Sequence, residues 1–173
     1  MTEEKPTVSE HFIPIAKYPS LKESQTLSDA AQVILSYTCG NGRLIFSEIL
    51  VLNDHNQLVG HLNLQSILQA LDERFADIPE GKVHEGKSGH FPNLSILWEE
   101  SFFHTCVHKR DISIRDVMEA TGSYVRSDDS LVKALVIILH SKENILPVVE
   151  NGSIIGVIRL EEIFKVICGS CKL

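Results

Sequence analysis

Two stretches of this chain are copies of each other, and the repeat constrains the fold more than any other feature. Residues 49–68 align on residues 145–164 without a gap, and residues 27–35 align on residues 131–139. Two copies are too few for a solenoid, which needs three or more units to bury a continuous core. The repeat therefore predicts two subdomains packed about a pseudo-two-fold axis, and ligand clefts favour such internal boundaries.

The composition argues against several classes of protein. The chain has 173 residues, 43% of them hydrophobic, which is enough to bury a full core. Its formal net charge of −7 and its lack of a Lys/Arg cluster argue against nucleic acid or an anionic membrane as a partner. The longest apolar run is too short to cross a bilayer, and the acidic N-terminus is unlike a secretory signal. Four cysteines do not make a disulfide framework at this length, so we expect a reduced, cytoplasmic protein.

Each copy predicts the same order of elements. A short extended piece comes before a helix that begins near Leu27 or Leu131, and a hairpin and a second helix follow. Thr26 and Ser130 precede the first helices as suitable N-caps, and Thr26 with Asp29 resembles a capping box.

The hairpin of the second copy has a strong turn signal. Asn151-Gly152 lies between two apolar runs and favours a type I′ turn, in which both central residues have positive φ. The first copy has Asn56 at the position of Gly152, and asparagine is the next most tolerant residue for that conformation.

Three segments lie outside the copies. Residues 1–14 are predicted to be a polar, partly disordered leader, and residues 169–173 a tail. Residues 76–111 form an insert whose first half is rich in glycine and proline and whose second half has apolar residues at helical spacing. We expect this one amphipathic helix to pack its face with Trp98 and Phe102 on the rest of the molecule.

This arrangement resembles a tandem pair of CBS domains, also called a Bateman module. Residues 112–118 (Ile-Ser-Ile-Arg-Asp-Val-Met) match the opening of such a domain, and residues 145–164 contain its Leu-Pro-Val-Val and Gly-Val-Ile runs. The resemblance implies an α+β fold of two β-α-β-β-α CBS subdomains, at residues 15–75 and 112–168, with the helical insert between them. It also implies association through the sheets and a homodimer through the helices, and the almost wholly apolar helix near residues 131–139 fits such a dimer.

The ligand motif of this family is Gly-apolar-apolar-Ser/Thr-x-x-Asp, at the junction of a strand and a helix. Hydroxyl, carboxylate and free backbone N–H groups then converge at one helix end, which favours phosphate, and the carboxylate can accept both ribose hydroxyls. The second copy has Arg159 and Glu162 at the hydroxyl and acid positions, whereas the first copy has Asn63 and Ser66.

The resemblance implies a ligand site centred on the second copy. Arg159 would hold a phosphate with the help of the helix N–H groups, or it would be neutralised by Glu161, Glu162 or an acid of a partner chain. Glu162 would hold a ribose. The other implied ligand-binding residues are Gly156, Val157 and Asn63, with Ile114, Val125 and Pro147 along the adenine side. The candidate ligands are AMP, ADP, ATP and S-adenosylmethionine.

Three further motifs are open to simpler interpretations. Residues 81–88 match the P-loop pattern, but neither a strand before them nor a helix after them is indicated, so an NTPase is not expected. The CxxC of residues 168–171 follows a helix, and we expect it to be a frayed, reduced tail. Glu100, His104 and His108 have a spacing that can chelate a metal, but no fourth ligand is identifiable, so we expect solvated side chains.

No catalytic motif is found, and we do not expect an enzyme. Glu162 favours a regulatory module that senses an adenosine nucleotide or a related anionic ligand and signals to a separate, unknown protein target. Ser66, in place of the acid, favours a degenerate pair that serves as a dimeric scaffold without ligand. A third alternative is metal or redox sensing through His104 and His108 or through the CxxC.

Overall fold

The computed structural model describes residues 5–78 and 99–171, which contain seven strands and five α-helices. The strands are β1 (Ile13–Pro14), β2 (Ser20–Lys22), β3 (Glu48–Leu52), β4 (Leu58–Asn63), β5 (Val125–Arg126), β6 (Ile145–Glu150) and β7 (Ser153–Arg159). The helices are α1 (Leu27–Ser36), α2 (Leu64–Leu71), α3 (Glu99–His108), α4 (Leu131–Ser141) and α5 (Leu160–Cys171). The order β-α-β-β-α occurs twice, and the predicted α+β fold is confirmed.

Each copy forms its own sheet. The first sheet has the order β2-β3-β4, with β2 parallel and β4 antiparallel to β3. The second has the order β1-β7-β6-β5, with β5 parallel and β7 antiparallel to β6, and with β1 added antiparallel to β7. Apart from β1, the two sheets have the same connections.

The local signals in the sequence fix the boundaries of the main elements. The side chain of Thr26 accepts a hydrogen bond from the Asp29 N–H, and the Asp29 carboxylate accepts one from the Thr26 N–H, which confirms the capping box. Ser130 caps α4 with one bond only, because its Oγ accepts from the Lys133 N–H over 3.2 Å and Lys133 returns no bond. The turn residues Asn151-Gly152 have φ values of 50° and 79°, and Asn56 has a φ of 60°, as both turn predictions require.

The two copies share a buried cluster between their sheets. Leu50 from β3 meets Val157 from β7 in this cluster, and neither side chain is exposed to solvent. The other buried members are Tyr18, Phe46 and Ile145. Burial of apolar surface is the main force that holds such an interface together, so the sheets join the copies, as predicted.

The segment that precedes each copy packs on the other copy. We call residues 6–14 the N-terminal arm and residues 112–119 the linker arm. The Leu131 N–H donates to the Pro6 carbonyl over 3.1 Å, and the Leu27 N–H donates to the Ile112 carbonyl over 2.9 Å. The two arms therefore make equivalent contacts in opposite directions.

The burial of the N-terminal arm corrects the expectation of a polar, partly disordered leader. Val8 lies in the core of the second copy and Ile114 in the core of the first, and both are 0% exposed. The first residues of the chain are polar, but Val8 and Phe12 pack on the core of the second copy, and the pairing of β1 with β7 holds the end of the arm.

Two equivalent glycines let the arms pass close to the sheets. A Cβ atom on Gly60 would lie 2.6 Å from the carbonyl oxygen of Glu119 in the linker arm. A Cβ atom on Gly156 would lie 2.3 Å from the carbonyl oxygen of Ile13 in the N-terminal arm. These distances are far below any Cβ contact, so only glycine fits at either position.

The insert helix packs beside the short 3-10 turn Glu73–Phe75, which follows α2. The Phe102 ring in α3 lies 5.3 Å, between centroids, from the Phe75 ring, and Lys109 Nζ lies 3.0 Å from Glu73 Oε1. Trp98 and the P-loop-like residues 81–88 lie outside the described residues. Among the described helices, none combines the length and the apolar character needed to cross a bilayer.

The last helix is longer than predicted. The sequence predicts that the CxxC follows a helix as a frayed tail, but α5 continues to Cys171 and includes the CxxC. A glycine inside a helix costs only about 1 kcal/mol, so Gly169 does not stop it. All four cysteines are described, and all four are free thiols.

Candidate functional site

Among the clefts between the copies, one lies at the start of each second helix. The second cleft, of about 210 Å³, lies where β7 meets α5 and faces the loop between α1 and β3. Its lining consists of Tyr18, Leu44, Ile45, Phe46, Ser47, Asn144, Ile145, Arg159 and Glu161. Both copies therefore contribute to this cleft.

Arg159 is held in the second cleft by three kinds of contact. Its Nε and Nη2 donate to the two carboxylate oxygens of Glu162 over 2.8 and 2.6 Å. Its Nη1 donates to the Ile45 carbonyl over 3.3 Å. The guanidinium carbon lies 5.3 Å from the centroid of the Phe46 ring, a cation–π distance. The side chain is thus fixed across the boundary between the copies.

The ion pair keeps both partners charged. Burial alone would raise the pKa of Glu162, but hydrogen bonds and charge from Arg159 outweigh it and lower the pKa below its ordinary value. The hydrogen bonds that Arg159 donates to Glu162 in turn raise the pKa of Arg159. Arg159 is therefore paired with Glu162, one of the acids considered from the sequence as its partner.

The other residues predicted for this site do not line the second cleft. Ile114 is buried in the core of the first copy, because the linker arm crosses over to it. Val125 is buried in the core of the second copy, and Val157 in the shared cluster opposite Pro147. Gly156 faces the N-terminal arm. Ile114, Val125 and Val157 are therefore core residues of the module.

The first cleft, of about 510 Å³, is the larger and the more polar of the two. Its lining consists of Ser47, Glu48, His61, Asn63, Leu64, Gln65, Glu119, Ser141, Lys142, Glu143 and Asn144. It shares Ser47 and Asn144 with the second cleft, so the two cavities are neighbours.

Asn63 lies in the first cleft and caps α2. Asn63 Oδ1 accepts from the Ser66 N–H over 2.8 Å, and Ser66 Oγ accepts from the Asn63 N–H over 3.0 Å. Asn63 Nδ2 also donates to Glu119 Oε1 over 3.1 Å. The predicted N-cap is confirmed, and Ser66 supplies the reciprocal bond that the family's acid would otherwise make.

Glu48 is the residue that our sequence reasoning missed. It begins β3 opposite Asn63 in the register and is only 8% exposed. Burial, and then the charges of Glu143, Glu119 and Glu161, raise the pKa of Glu48 to about 7. The available signal was an acid directly before an apolar strand, at the position where the second copy has Asn144.

The remaining motifs lie away from both clefts. The rings of His104 and His108 are 5.4 Å apart, and the side chain of Glu100 lies outside the described residues. Cys168 is half-buried and Cys171 exposed on the last turns of α5. In the described part of the chain, no three His, Cys, Asp or Glu side chains are grouped to hold a metal ion.

The repeat, the two sheets and the paired clefts define a tandem CBS pair. The family model "CBS domain" matches residues 8–73 and residues 110–169. The chain therefore belongs to the CBS domain family.

Solved structures with the same fold cover almost the whole chain. CBSX2 from Arabidopsis thaliana has a TM-score of 0.67 at 17% identity, over 98% of this chain and 99% of that one. CBSX2 in complex with AMP has a TM-score of 0.64 at 19% identity, over 96% and 98%. The cytosolic domain of the Mg²⁺ channel MgtE in complex with ATP has a TM-score of 0.60 at 15% identity, over 94% of this chain and 49% of that one. No curated protein sequence matches the chain.

Proposed function

We propose that this chain is a regulatory module that binds an adenosine nucleotide in the second cleft and signals to a separate protein. The observation that carries the proposal is the position of Arg159, a fixed cation at the start of α5 and at the boundary between the copies. A helix N-terminus and a guanidinium both favour phosphate. The AMP and ATP complexes of the structurally similar CBSX2 and MgtE support this class of ligand.

The second cleft also offers a surface for a base. Tyr18 and Phe46 line it with their rings 4.8 Å apart between centroids, and Ile145 adds an aliphatic wall. Flat aromatic and apolar surfaces suit adenine, while Arg159 and Glu161 at the rim suit phosphate and ribose. In this proposal Glu162 positions Arg159. The Glu162 carboxylate reaches a ribose only if a phosphate replaces it as the partner of the Arg159 guanidinium.

Calorimetry with AMP tests the proposal. The parent protein should bind AMP, and Arg159→Ala should weaken binding by about tenfold or more, because a charged hydrogen bond is lost. Glu162→Ala should also weaken binding, since it frees the guanidinium from its position. Arg126→Ala is the matched control, because that arginine is exposed on β5 and pairs with Asp128.

A thermal-shift screen widens the test to ADP, ATP and S-adenosylmethionine. A ligand at 100 times its Kd should add about 2.7 kcal/mol of stability. Absence of a shift with every nucleotide would refute nucleotide sensing, whereas AMP binding with unchanged affinity in both variants would place the ligand outside the second cleft.

We further propose that the module is a homodimer that joins through its helices. Equivalent residues on the outer faces of the two copies are apolar and exposed. These are Leu35 and Leu139 (62% and 64% exposed) on the first helices, and Leu68 and Phe164 (55% and 63%) on the second helices. Val132 and Val136 continue this surface along α4. A second copy of the chain would cover these faces with matching ones.

Light scattering at micromolar concentration should give twice the chain mass. Leu139→Glu should shift the mass toward that of one chain, because a charge would be buried in the interface. A parent mass equal to one chain would overturn the dimer.

The self-contained polar contacts favour a second candidate, a dimeric scaffold without ligand. At both motif positions the polar side chains already have partners within the chain. Asn63 and Ser66 form a capping box, and Arg159 and Glu162 form an ion pair. The scaffold gives a dimer without a nucleotide shift, whereas the sensor gives both. In either case we propose a cytoplasmic protein without catalytic activity.

A further inference from the structure

The first cleft has the opposite electrostatic character to the second. Three acids line it: Glu48 from β3, Glu119 from the linker arm and Glu143 from the loop between α4 and β6. The lining also contains Lys142, which is exposed, and His61, whose Nε2 lies 3.8 Å from Glu119 Oε2. A phosphate would meet repulsion here, so the first cleft does not repeat the chemistry proposed for the second.

Glu48 is the unusual member of this group. Its side chain is buried, and within the described residues its carboxylate has neither a hydrogen-bond nor an ion-pair partner. A buried carboxylate is normally paired, because an uncompensated buried charge is costly. Glu48 faces the cavity from the floor of the cleft, which makes it a group whose partner would come from a ligand.

The geometry excludes a single divalent ion as that partner. Mg²⁺ and Ca²⁺ need several oxygen ligands at about 2.0–2.6 Å. No set of three acids or histidines in the described parts of the chain is close enough to share one ion. The acids are instead spread around a cavity of about 510 Å³, which is within the range of small-molecule sites.

We propose that the first cleft binds a small organic cation with a primary ammonium group, which Glu48 anchors and Glu119 and Glu143 surround. An ammonium group donates up to three hydrogen bonds and can satisfy acids on different walls at once. The neutral lining groups, among them Ser47, Asn144 and Gln65, provide further acceptors for the same ligand. This proposal does not depend on nucleotide binding in the second cleft.

Binding should be coupled to a proton. The cation requires an ionised Glu48, whose pKa of about 7 means that binding releases a proton near neutral pH. The charged and titratable groups around Glu48 are Glu119 and His61, Lys142 and Glu143, Glu161 of α5, and Tyr18. The ionised fraction of Glu48 rises about tenfold between about pH 6 and about pH 8. The affinity for the cation should therefore rise by about the same factor.

Calorimetry with 1,4-diaminobutane tests the inference, with 1,4-butanediol as the neutral analogue of equal length. The parent should bind the diamine and not the diol. Glu48→Gln should weaken binding by about tenfold or more at about pH 8 and should abolish the pH dependence. Glu150→Gln, which removes an exposed acid at the far end of β6, should bind like the parent.

Several results would overturn the inference. These are no diamine binding at millimolar concentration, equal binding of the diol, or unchanged affinity in Glu48→Gln. Separate titrations with MgCl2 and AMP identify other ligands: Mg²⁺ binding that Glu48→Gln abolishes would make this a metal site, and AMP that displaces the diamine would make it a nucleotide site. If Glu48→Gln does not fold, Glu143→Gln decides, and an affinity equal to the parent's would refute the proposal.

The two proposals fail independently. Arg159→Ala should leave diamine binding unchanged, and Glu48→Gln should leave AMP binding within about twofold, since each residue lines only one cleft.

Discussion

The two copies put different chemistry on the same backbone. Asn63 and Arg159 hold the same position before a second helix, yet one closes a neutral capping box and the other pairs with Glu162. Glu48 and Asn144 are likewise equivalent in the repeat, and only the first brings a charge into a cleft. The result is an acidic first cleft and a second cleft with a fixed cation.

Other equivalent positions do the same work in both copies. Gly60 and Gly156 each admit an arm, and Ile114 and Val8 each fill the core of the opposite copy. The fold depends on positions that must be small or apolar, and ligand chemistry depends on positions that face a cleft. The comparison therefore separates residues that build the module from residues that distinguish its two clefts.

Truncation of the buried arm residues should have the largest effect, and in both copies. Ile114→Ala should lower the free energy of unfolding by about 2–5 kcal/mol, and Val8→Ala by somewhat less, because each leaves a cavity in a packed core. Urea denaturation measures both. Val107→Ala on α3 is the control, since that side chain is 59% exposed, lies outside the proposed dimer surface, and its loss should change stability by less than about 0.5 kcal/mol. A Val8→Ala value as small as the control's would break the equivalence of the arms.

The next effect should occur in the first copy alone and should depend on pH. The pKa of Glu48 is about 7 in the folded protein against an ordinary value of 4.5, so the folded state binds more protons between these values. Stability should therefore fall as pH rises through this interval. Glu48→Gln should remove the fall and make the variant more stable than the parent by on the order of 2 kcal/mol at about pH 8.

Thermal or urea unfolding at several pH values checks this profile. Asn144→Ala, at the equivalent position of the second copy, should show no pH-dependent difference from the parent. If the difference in free energy of unfolding between Glu48→Gln and the parent did not change with pH, ionisation of Glu48 would not destabilise the folded state.

The smallest effect concerns the caps. Asn63→Ala should lower the free energy of unfolding by about 1 kcal/mol, because the Ser66 N–H loses its acceptor at the start of α2. Gln65→Ala, on the exposed side of the same turn, should have almost no effect in the same denaturation experiment. If Asn63→Ala left the free energy of unfolding unchanged, the capping box would not stabilise α2. Asn63 and Arg159, the two N-cap positions, would then differ less than the structure indicates.

Much of the fold could be predicted because its signals are local. The caps Thr26 and Ser130 and the turn Asn151-Gly152 act within a few residues, and the repeat carries each interpretation from one copy to the other. The N-terminal arm has no such signal. Val8 is apolar in a polar stretch, and its burial depends on a cavity in the distant second copy.

The candidate site was less predictable for a related reason. Arg159 and Glu162 were identified from the family motif, but their mutual pairing depends on side-chain geometry that spacing does not give. Ile114 was assigned to the second cleft, and the crossing of the linker arm puts it in the first core instead. Glu48 could not be identified from the sequence, because its burial depends on how the two sheets enclose the start of β3.

The exchanged arms also separate the order of synthesis from the order of folding. The N-terminal arm is made before both copies, but α4, β6 and β7, which supply the core around Val8, are made after the first copy. The first copy in turn lacks Ile114 until the linker arm has been translated. The first core can therefore close once the linker arm has been made, whereas the second core must wait for the second copy, so we expect the copies to fold in turn, with the long-range contacts that slow folding.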